Sequence, residues 1–292
     1  MGRPERDDAA SQKKGILYVV ATPIGNLEDI TLRAVRILRE VDCIAAEDTR
    51  QTRKLLSHLG IHSKLISYFK HQEARKGLEI LNRLANGEDL ALVSDAGTPC
   101  VSDPGALLVK AARGHGYAVV PVPGPCALTT ALSVSGIDSP FSFHGFLSAR
   151  EQQRKKTLHS LCQRNEALVF YESPRRVAAL LSSLAEVMGD RQVQLARELT
   201  KMHEELLCGT PEELLQTLAS REVCKGEFVV IVEPPLRPEG DVATPDTVII
   251  EFLEQLREVG TATMRDAVQI VSAQLNVPRS RVYQLGLSVW KK

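Results

Sequence analysis

No stretch of this sequence stays apolar for the roughly 20 residues that a bilayer crossing requires. Its longest apolar runs, such as Ala118 to Val122 and Phe228 to Val232, are only strand-sized. The opening MGRPERDDAASQKKG has no apolar segment and carries Arg6 at the sixth position, so neither a secretory signal nor a myristoylation pattern is expected. These absences point to a cytoplasmic protein without a membrane partner. The six cysteines, Cys43, Cys100, Cys126, Cys162, Cys208 and Cys224, contain no C-x-x-C pair, which favours reduced thiols over a disulfide framework. Charge of one sign is lacking too. Thirty-six Lys and Arg balance thirty-six Asp and Glu, so any polyanion contact must come from a local patch.

The familiar catalytic signatures are missing as well. The loop after the first apolar strand reads ATPIGNLED rather than G-x-G-x-x-G, and G-x-x-x-x-G-K-[ST] occurs nowhere, which removes the main support for dinucleotide and P-loop readings. The histidines at 58, 62, 71, 115, 144, 159 and 203 show no H-E-x-x-H or other ligand spacing, so no metal site is expected. Without a G-x-S-x-G elbow, Ser94 or Ser173 as a nucleophile would rest on residue type alone.

What is present is an alternation of apolar strands and amphipathic helices over 292 residues, long enough for more than one domain. After a polar tail (1–14), GILYVVAT, CIAAED, a short strand near Leu65, DLALVS and YAVVPV alternate with helical patterns, the first capped by Asp29. This predicts an α/β domain over 15–123 with a mostly parallel sheet. PVPGPCA, with three prolines and a glycine in seven residues, marks a boundary near Gly124. Strands ALVFYES, QVQLAREL and GEFVVIVE and their helices predict a second α/β domain over 124–233. PPLRPEGDVATP (234–245) reads as an extended linker. A helical module over 246–292 follows, its last two helices joined around NVPR in the manner of a helix-turn-helix, a pattern shared by plain packing modules and nucleic-acid readers.

Gly/Pro-rich loops recur at the strand ends: TPIGN, AAEDTR, SDAGTP, PGPCA, YESPRR, ARELTK and KGE. In a parallel sheet such loops gather at the carboxyl edge, where ligands bind and glycine lets backbone approach closely. Their carboxylates Glu47, Asp48, Asp95, Glu172 and Glu198 lie beside Arg50, Arg175, Arg176, Arg197 and Lys201. Carboxylates suit cationic groups and arginines suit phosphates, although each charge taken singly also fits a helix cap or a surface ion pair. Asp103, just ahead of Pro104, reads as a helix start with Ser102 or Asp103 as cap and is left out of the ligand-binding set.

In this order and spacing, TPIGNLEDIT, AAEDTR, LVSDAGTPCVSDPG, PVPGPCA, YESPRR, ARELTK and KGE resemble the ribosomal RNA small subunit methyltransferase I family, a branch of the tetrapyrrole methylase-like proteins. The resemblance runs from about Gly15 to Glu233 and extends to the C-terminal helices. It implies two α/β domains with S-adenosylmethionine in the cleft between them and a homodimer. It also implies methyl transfer to the ribose 2′-hydroxyl of a cytidine in the decoding region of small-subunit ribosomal RNA, free or in the assembled subunit. By the same resemblance Pro23, Ser94, Asp95, Gly97, Thr98, Cys126, Ala127, Tyr171, Leu199 and Gly226 border the cofactor.

The residues fit that placement, since a sulfonium is disfavoured near Lys or Arg and none lies between Leu90 and Leu108. Asp48 and Glu47, with Glu198 behind them, are candidates for accepting the hydroxyl proton, and structural pairing of Glu47 and Asp48 with Arg50 and Arg197 is the competing account. RNA contact is expected from REQQRKKTLHSLCQR (150–164), through Arg150, Arg154, Lys155, Lys156 and Arg164, aided by Arg50, Arg175, Arg176, Arg197 and Lys201, unless that run is only a solvated helix face. A tetrapyrrole methyltransferase is the alternative enzyme, and an adaptor with a vestigial cleft the non-enzymatic one.

Overall fold

The computed structural model describes residues 14–220, 225–235, 245–258, 263–275 and 277–290. The expected tail up to residue 13 and most of the expected linker, 236–244, lie outside them. The chain divides into two compact units, Met1–Pro235 and Leu236–Lys292.

The first unit holds two five-stranded sheets. In one, β1 (Ile16–Val20), β2 (Cys43–Ala46), β3 (Leu65–Ser67), β4 (Leu90–Val93) and β5 (Ala118–Val122) pair in the order β3-β2-β4-β1-β5, parallel throughout. Helices α1 (Leu32–Glu40), α2 (Thr49–His58), α3 (Glu73–Ala85) and α4 (Ala106–Gly114) alternate with the strands. Successive strand side chains point to opposite faces. Ile44, Ala46, Ala91 and Val93 therefore pack with Leu38 of α1 and Leu56 of α2, while Cys43, Ala45, Leu90 and Leu92 pack with Leu84 of α3 and Leu108 of α4. Burial on both faces explains why these strands read as unbroken apolar runs. The expected Asp29 cap is corrected: Asp29 ends a one-turn 3-10 helix, and the Thr31 side chain accepts the Ala34 N–H at 3.0 Å to start α1. Threonine caps as aspartate does, so residue type alone did not separate the two.

The second sheet has the order β6-β7-β10-β8-β9, from β6 (Phe141–Gly145), β7 (Ala167–Glu172), β8 (Val193–Arg197), β9 (Glu205–Gly209) and β10 (Phe228–Val232). Only the β6–β7 pair is parallel, so this sheet is mixed. Helices α5 (Ala127–Ser135), α6 (Glu151–Leu161), α7 (Val177–Met188) and α8 (Pro211–Ala219) accompany it. One face packs Phe170, Leu195 and Val230 on Leu158, Leu184 and Leu214 of α6, α7 and α8. The opposite face packs Val169, Ala196 and Val229 with Ala131 of α5 and with Ile24 and Leu199. Ile24 follows β1, so a loop of the first sheet completes the core of the second.

The second unit consists of α9 (Asp246–Glu258), α10 (Met264–Leu275) and α11 (Arg279–Trp290). They share a core of Ile249, Leu253, Val268, Val271, Val282 and Val289. No helix among the described residues is long and apolar enough to cross a membrane.

Candidate active site

β1, β4 and β2 are neighbours in the first sheet, so the loops that follow them emerge side by side at its carboxyl edge. Thr22 and Gly97 bind each other through both backbone groups, N–H to carbonyl at 2.9 and 3.0 Å, which joins the loop after β1 to the loop after β4. Gly97 has φ +79°, and a Cβ there would come within 3.2 Å of Ile24 Cγ2, so both conformation and space call for glycine. The Thr98 hydroxyl donates to the Pro125 carbonyl at 3.0 Å and draws in the turn before α5.

These loops and the near face of the second sheet enclose a cavity of about 440 Å³, the size range of cofactor sites. Of the residues expected around a cofactor, Asp95, Gly97, Thr98, Cys126, Ala127, Tyr171 and Leu199 line it. Tyr171 forms one wall: its hydroxyl accepts the Leu128 N–H at 3.0 Å, in the first turn of α5, and burial holds it in the phenol form. Phe143 and Phe146 meet its ring edge-on, with centroids 4.8 and 5.7 Å away.

Pro23, Ser94 and Gly226 lie behind this lining rather than in it. Pro23 is buried and leaves the wall to Ile24. Ser94, 3% exposed, turns its hydroxyl onto the Ala96 and Gly97 carbonyls and shapes the loop. Gly226 has φ +100° and backs onto Glu198, whose Cγ lies 2.3 Å from where a Cβ would stand.

The candidate bases separate by environment. Asp48 caps α2: its carboxylate accepts the Arg50 N–H at 2.8 Å and pairs with the Arg50 guanidinium at 2.6 Å. Those hydrogen bonds pull its pKa down to about 2, which makes it a poor proton acceptor. Glu198, at φ +51°, is engaged by Lys201 at 2.7 Å and by the Glu227 N–H at 3.1 Å. Burial alone would raise its carboxyl, but these partners outweigh that and hold it low. Glu47 lines the cavity, and burial, with the charges of Asp103 and Asp95 adding, pushes its carboxyl up.

Asp103 is not part of a helix start. Gly105, at φ +132°, stands at the N-cap position of α4, and Asp103 lines the cavity beside Glu47 and Asp95. The loop reaches this arrangement through two non-glycine residues of positive φ, Cys100 (71°) and Ser102 (66°). It is anchored from behind by Glu73, whose Oε1 accepts the Gly105 N–H at 2.9 Å and the Tyr68 hydroxyl at 3.3 Å. Burial, with Asp95 and Glu227 nearby, raises the Asp103 carboxyl to about 6 against the opposing Ser94 hydroxyl. The S-D-P-G string is common to caps and turns; only the positive-φ residues before it redirect the carboxylate, and no sequence pattern announces those.

The basic residues fare unevenly. Lys201 lines the cavity, paired with Glu198 and with Glu227 at 3.1 Å. Arg50 and Arg175 are exposed. Arg197 donates to the Lys225 carbonyl at 2.7 Å and pairs with Glu205 at 3.3 Å. Arg176 is held by the buried Glu172 at 3.1 Å and by the Leu147 carbonyl. The expected α6 patch is largely spent internally. Arg154 is 6% exposed, with its guanidinium on the Ser183 hydroxyl and the Ser148 and Ala149 carbonyls. Lys155 sits between Glu151 and Glu186, both at 2.6 Å, while Lys156 is exposed. Arg154 cannot reach a phosphate without leaving the core, because helical spacing puts it on the same face as Leu158 and Leu161.

Among the described residues no group of three His, Cys, Asp or Glu side chains is arranged to hold a metal. The described cysteines Cys43, Cys100, Cys126, Cys162 and Cys208 are free thiols.

Residues 16–215 match the family described as Tetrapyrrole (Corrin/Porphyrin) Methylases. The chain is 44% identical over 273 residues to the ribosomal RNA small subunit methyltransferase I of Bacillus subtilis (strain 168), covering 92% of this chain and 93% of that one. It is 51% identical over 222 residues to the protein of that name from Xylella fastidiosa (strain Temecula1), covering 75% and 81%. Its fold is similar to the structure of uroporphyrin-III C-methyl transferase from Thermus thermophilus complexed with S-adenyl homocysteine, with TM-score 0.55, 18% identity, and 74% and 97% of the two chains covered. Diphthine synthase is similar at TM-score 0.58 and 13% identity, with 75% and 90% covered. With a family match that runs from β1 through β9 and relatives of 44% and 51% identity that cover 92% and 75% of it, the chain belongs to the ribosomal RNA small subunit methyltransferase I family of the tetrapyrrole methylases.

Proposed function

We propose that this protein transfers a methyl group from S-adenosylmethionine to the ribose 2′-hydroxyl of a cytidine in the decoding region of small-subunit ribosomal RNA. Methyl transfer to ribosomal RNA follows from family membership; the ribose oxygen and the cytidine are the finer part of the proposal. The observation that carries it is the cavity at the carboxyl edge of the parallel sheet, walled by Asp95, Tyr171 and apolar side chains, with the carboxyls of Glu47 and Asp103 turned into it.

The lining suits the cofactor. Asp95 and the backbone carbonyls of its loop suit a cationic sulfonium and amine, Tyr171 offers an aromatic face, and the one lysine in the lining, Lys201, is offset by Glu198 and Glu227. When bound, the cofactor supplies an electrophilic methyl carbon. The chain's part is to hold the acceptor hydroxyl in line with that carbon and to receive its proton. Such positioning alone is worth roughly 7 to 11 kcal/mol in intramolecular analogues. The proton acceptor is the Glu47–Asp103 pair. Burial pushes both carboxyls up, the Asp103 charge adding to the rise of Glu47, and Asp103 itself, raised to about 6, lies close to working pH.

The protein acts as a homodimer in this reading, which light scattering tests. A tetrapyrrole substrate rests on the broad family match and on likeness of fold, whereas the relatives at 44% and 51% identity are named for ribosomal RNA. The deciding experiment incubates the protein and labelled S-adenosylmethionine with small ribosomal subunits lacking the modification, then maps the label. Label on a cytidine ribose is expected; label on a base, or on no RNA, overturns the proposal.

A further inference from the structure

Residues 49–72, TRQTRKLLSHLGIHSKLISYFKHQ, carry Arg50, Arg53, Lys54, Lys64 and Lys70 and not one Asp or Glu, in a chain whose 36 positive and 36 negative charges balance overall. The first ten of these residues are α2. Thr52 and Leu56 face the core, and Arg50, Arg53, Lys54 and Ser57, spaced i, i+3, i+4 and i+7, share the exposed face, where they line an open depression of about 480 Å³. At 1.5 Å per residue the row runs for roughly 10 Å.

These charges are available. Arg53 has no ion-pair partner among the described residues, and Lys54 meets only the Gln51 amide oxygen, at 3.3 Å. Arg50 pairs with Asp48, but its side chain remains 84% exposed, and an exposed pair of this kind is easily exchanged for another anion. The α6 face differs: Arg154 is buried and Lys155 is shared by two carboxylates, which leaves Lys156 as its one exposed lysine or arginine without an ion pair among the described residues, and Arg164, beyond the helix end, pairs with Glu166 at 2.8 Å.

The row also starts where a polyanion would need to arrive. α2 begins one residue after the cap Asp48, which follows Glu47 of the cavity wall, and the Asp48 N–H is tied to Asp95 of that wall. The interior, with Glu47, Asp95, Asp103 and Glu227, repels phosphate and tolerates a sulfonium, while the adjoining ridge attracts phosphate. We propose that the exposed face of α2, through Arg50, Arg53 and Lys54, binds the ribose-phosphate backbone of the RNA beside the cavity, so that the phosphates stay outside and one ribose enters. This rests on the ribosomal RNA reading above.

The test compares Arg53→Glu/Lys54→Glu with Lys155→Glu/Lys156→Glu, using an RNA fragment of the small-subunit decoding region and filter binding between 50 and 200 mM KCl. The α2 variant is expected to bind at least tenfold more weakly and to lose about 0.7 in salt slope per phosphate contact removed. The α6 variant is expected to stay within twofold of the parent, and both are expected to bind S-adenosylmethionine as the parent does in calorimetry, which shows that the fold and cavity are intact. A parent-like affinity and slope in the α2 variant, or equal losses in both variants, overturns the inference while leaving the methyltransferase reading in place. A parent protein that binds no RNA overturns both.

Discussion

The backbone N–H of Asp48 donates to Oδ1 of Asp95 across 2.8 Å and joins the first turn of α2 to the loop after β4. One carboxylate thus serves two ends, since Asp95 also lines the cavity. Asp95→Asn keeps an acceptor for that N–H but removes the charge, so it is expected to leave Tm nearly unchanged and to weaken S-adenosylmethionine binding. Asp95→Ala removes both and should also cost about 1 kcal/mol of stability. Calorimetric binding and thermal unfolding separate the two effects; equal affinity for the parent and Asp95→Asn would remove Asp95 from the cofactor site.

The two acidic residues that follow β2 should differ in kind. Glu47→Gln and Asp103→Asn each remove a proton acceptor from the cavity, and the single-turnover methylation rate should fall by roughly 10² to 10⁴. Asp48→Asn retains a capping side chain and loses only a partnered charge, so its rate should remain within a few-fold of the parent. A large loss in Asp48→Asn with none in Glu47→Gln would reverse the assignment.

Asp103 predicts opposite pH trends for rate and stability. Its carboxyl is raised to about 6 in the folded chain from an ordinary value of 3.8. Between these values the folded state binds more protons than the unfolded one, so stability falls as pH rises through this window. The rate should climb as pH passes about 6, where the acceptor loses its proton, and level off roughly one pH unit higher. Asp103→Asn should abolish this carboxyl's part of both trends and stabilise the protein at pH 8 by about 1 kcal/mol, the full linkage value being cut by the solvent access of a half-buried group. Thermal unfolding from pH 5 to 8 checks the stability arm, and a variant less stable than the parent at pH 8 would show that the carboxylate is not strained there.

Much of this was legible in the sequence. Parallel strands covered on both faces write unbroken apolar runs, so β1, β2, β4 and β5 and their loops could be placed. The edge strand β9, which alternates exposed Leu206 and Cys208 with half-buried neighbours, and β6, whose FSFHG sequence holds no unbroken apolar run, carry no such signal. Nor did α5, hidden behind PVPGPCA, where Gly124 and the prolines precede the helix without entering it. Among site residues, Asp95, Thr98 and Tyr171 stood out because turn chemistry at strand ends is local. Asp103 was misassigned, and Arg154 counted as exposed, because loop strain and helix facing are settled by tertiary packing. The α2 ridge is countable in the sequence, whereas the equally basic run in α6 loses Arg154 to the core and Lys155 to Glu151 and Glu186, which only the packing shows.

Gly226 should prove a support for the cleft rather than part of its surface. Gly226→Ala would place a Cβ 2.3 Å from Glu198 Cγ at φ +100°, displacing Glu198 from Lys201 at a cost of roughly 1 to 3 kcal/mol. Gly60→Ala has a comparable φ of +62° but nothing within 4 Å, so it should cost only about 1 kcal/mol. Denaturant unfolding of the two variants compares them directly, and equal costs would mean that the Glu198 contact is relieved without effect.

Arg176 was expected to contact RNA, and its surroundings predict a structural role instead. The Glu172 side chain is 1% exposed, accepts the Ser173 N–H at 2.8 Å and is neutralised by Arg176 at 3.1 Å, while Arg176 also donates to the Leu147 carbonyl. Removing one partner of a buried pair leaves the other charge without compensation, so Arg176→Ala should cost roughly 3 kcal/mol. Arg175→Ala, beside it but exposed, should change stability by less than about 0.5 kcal/mol. The two roles differ in salt dependence: at a temperature where Arg176→Ala remains folded, its RNA-binding slope should equal that of the parent. A slope flattened by about one contact, with stability intact, would return Arg176 to the RNA interface.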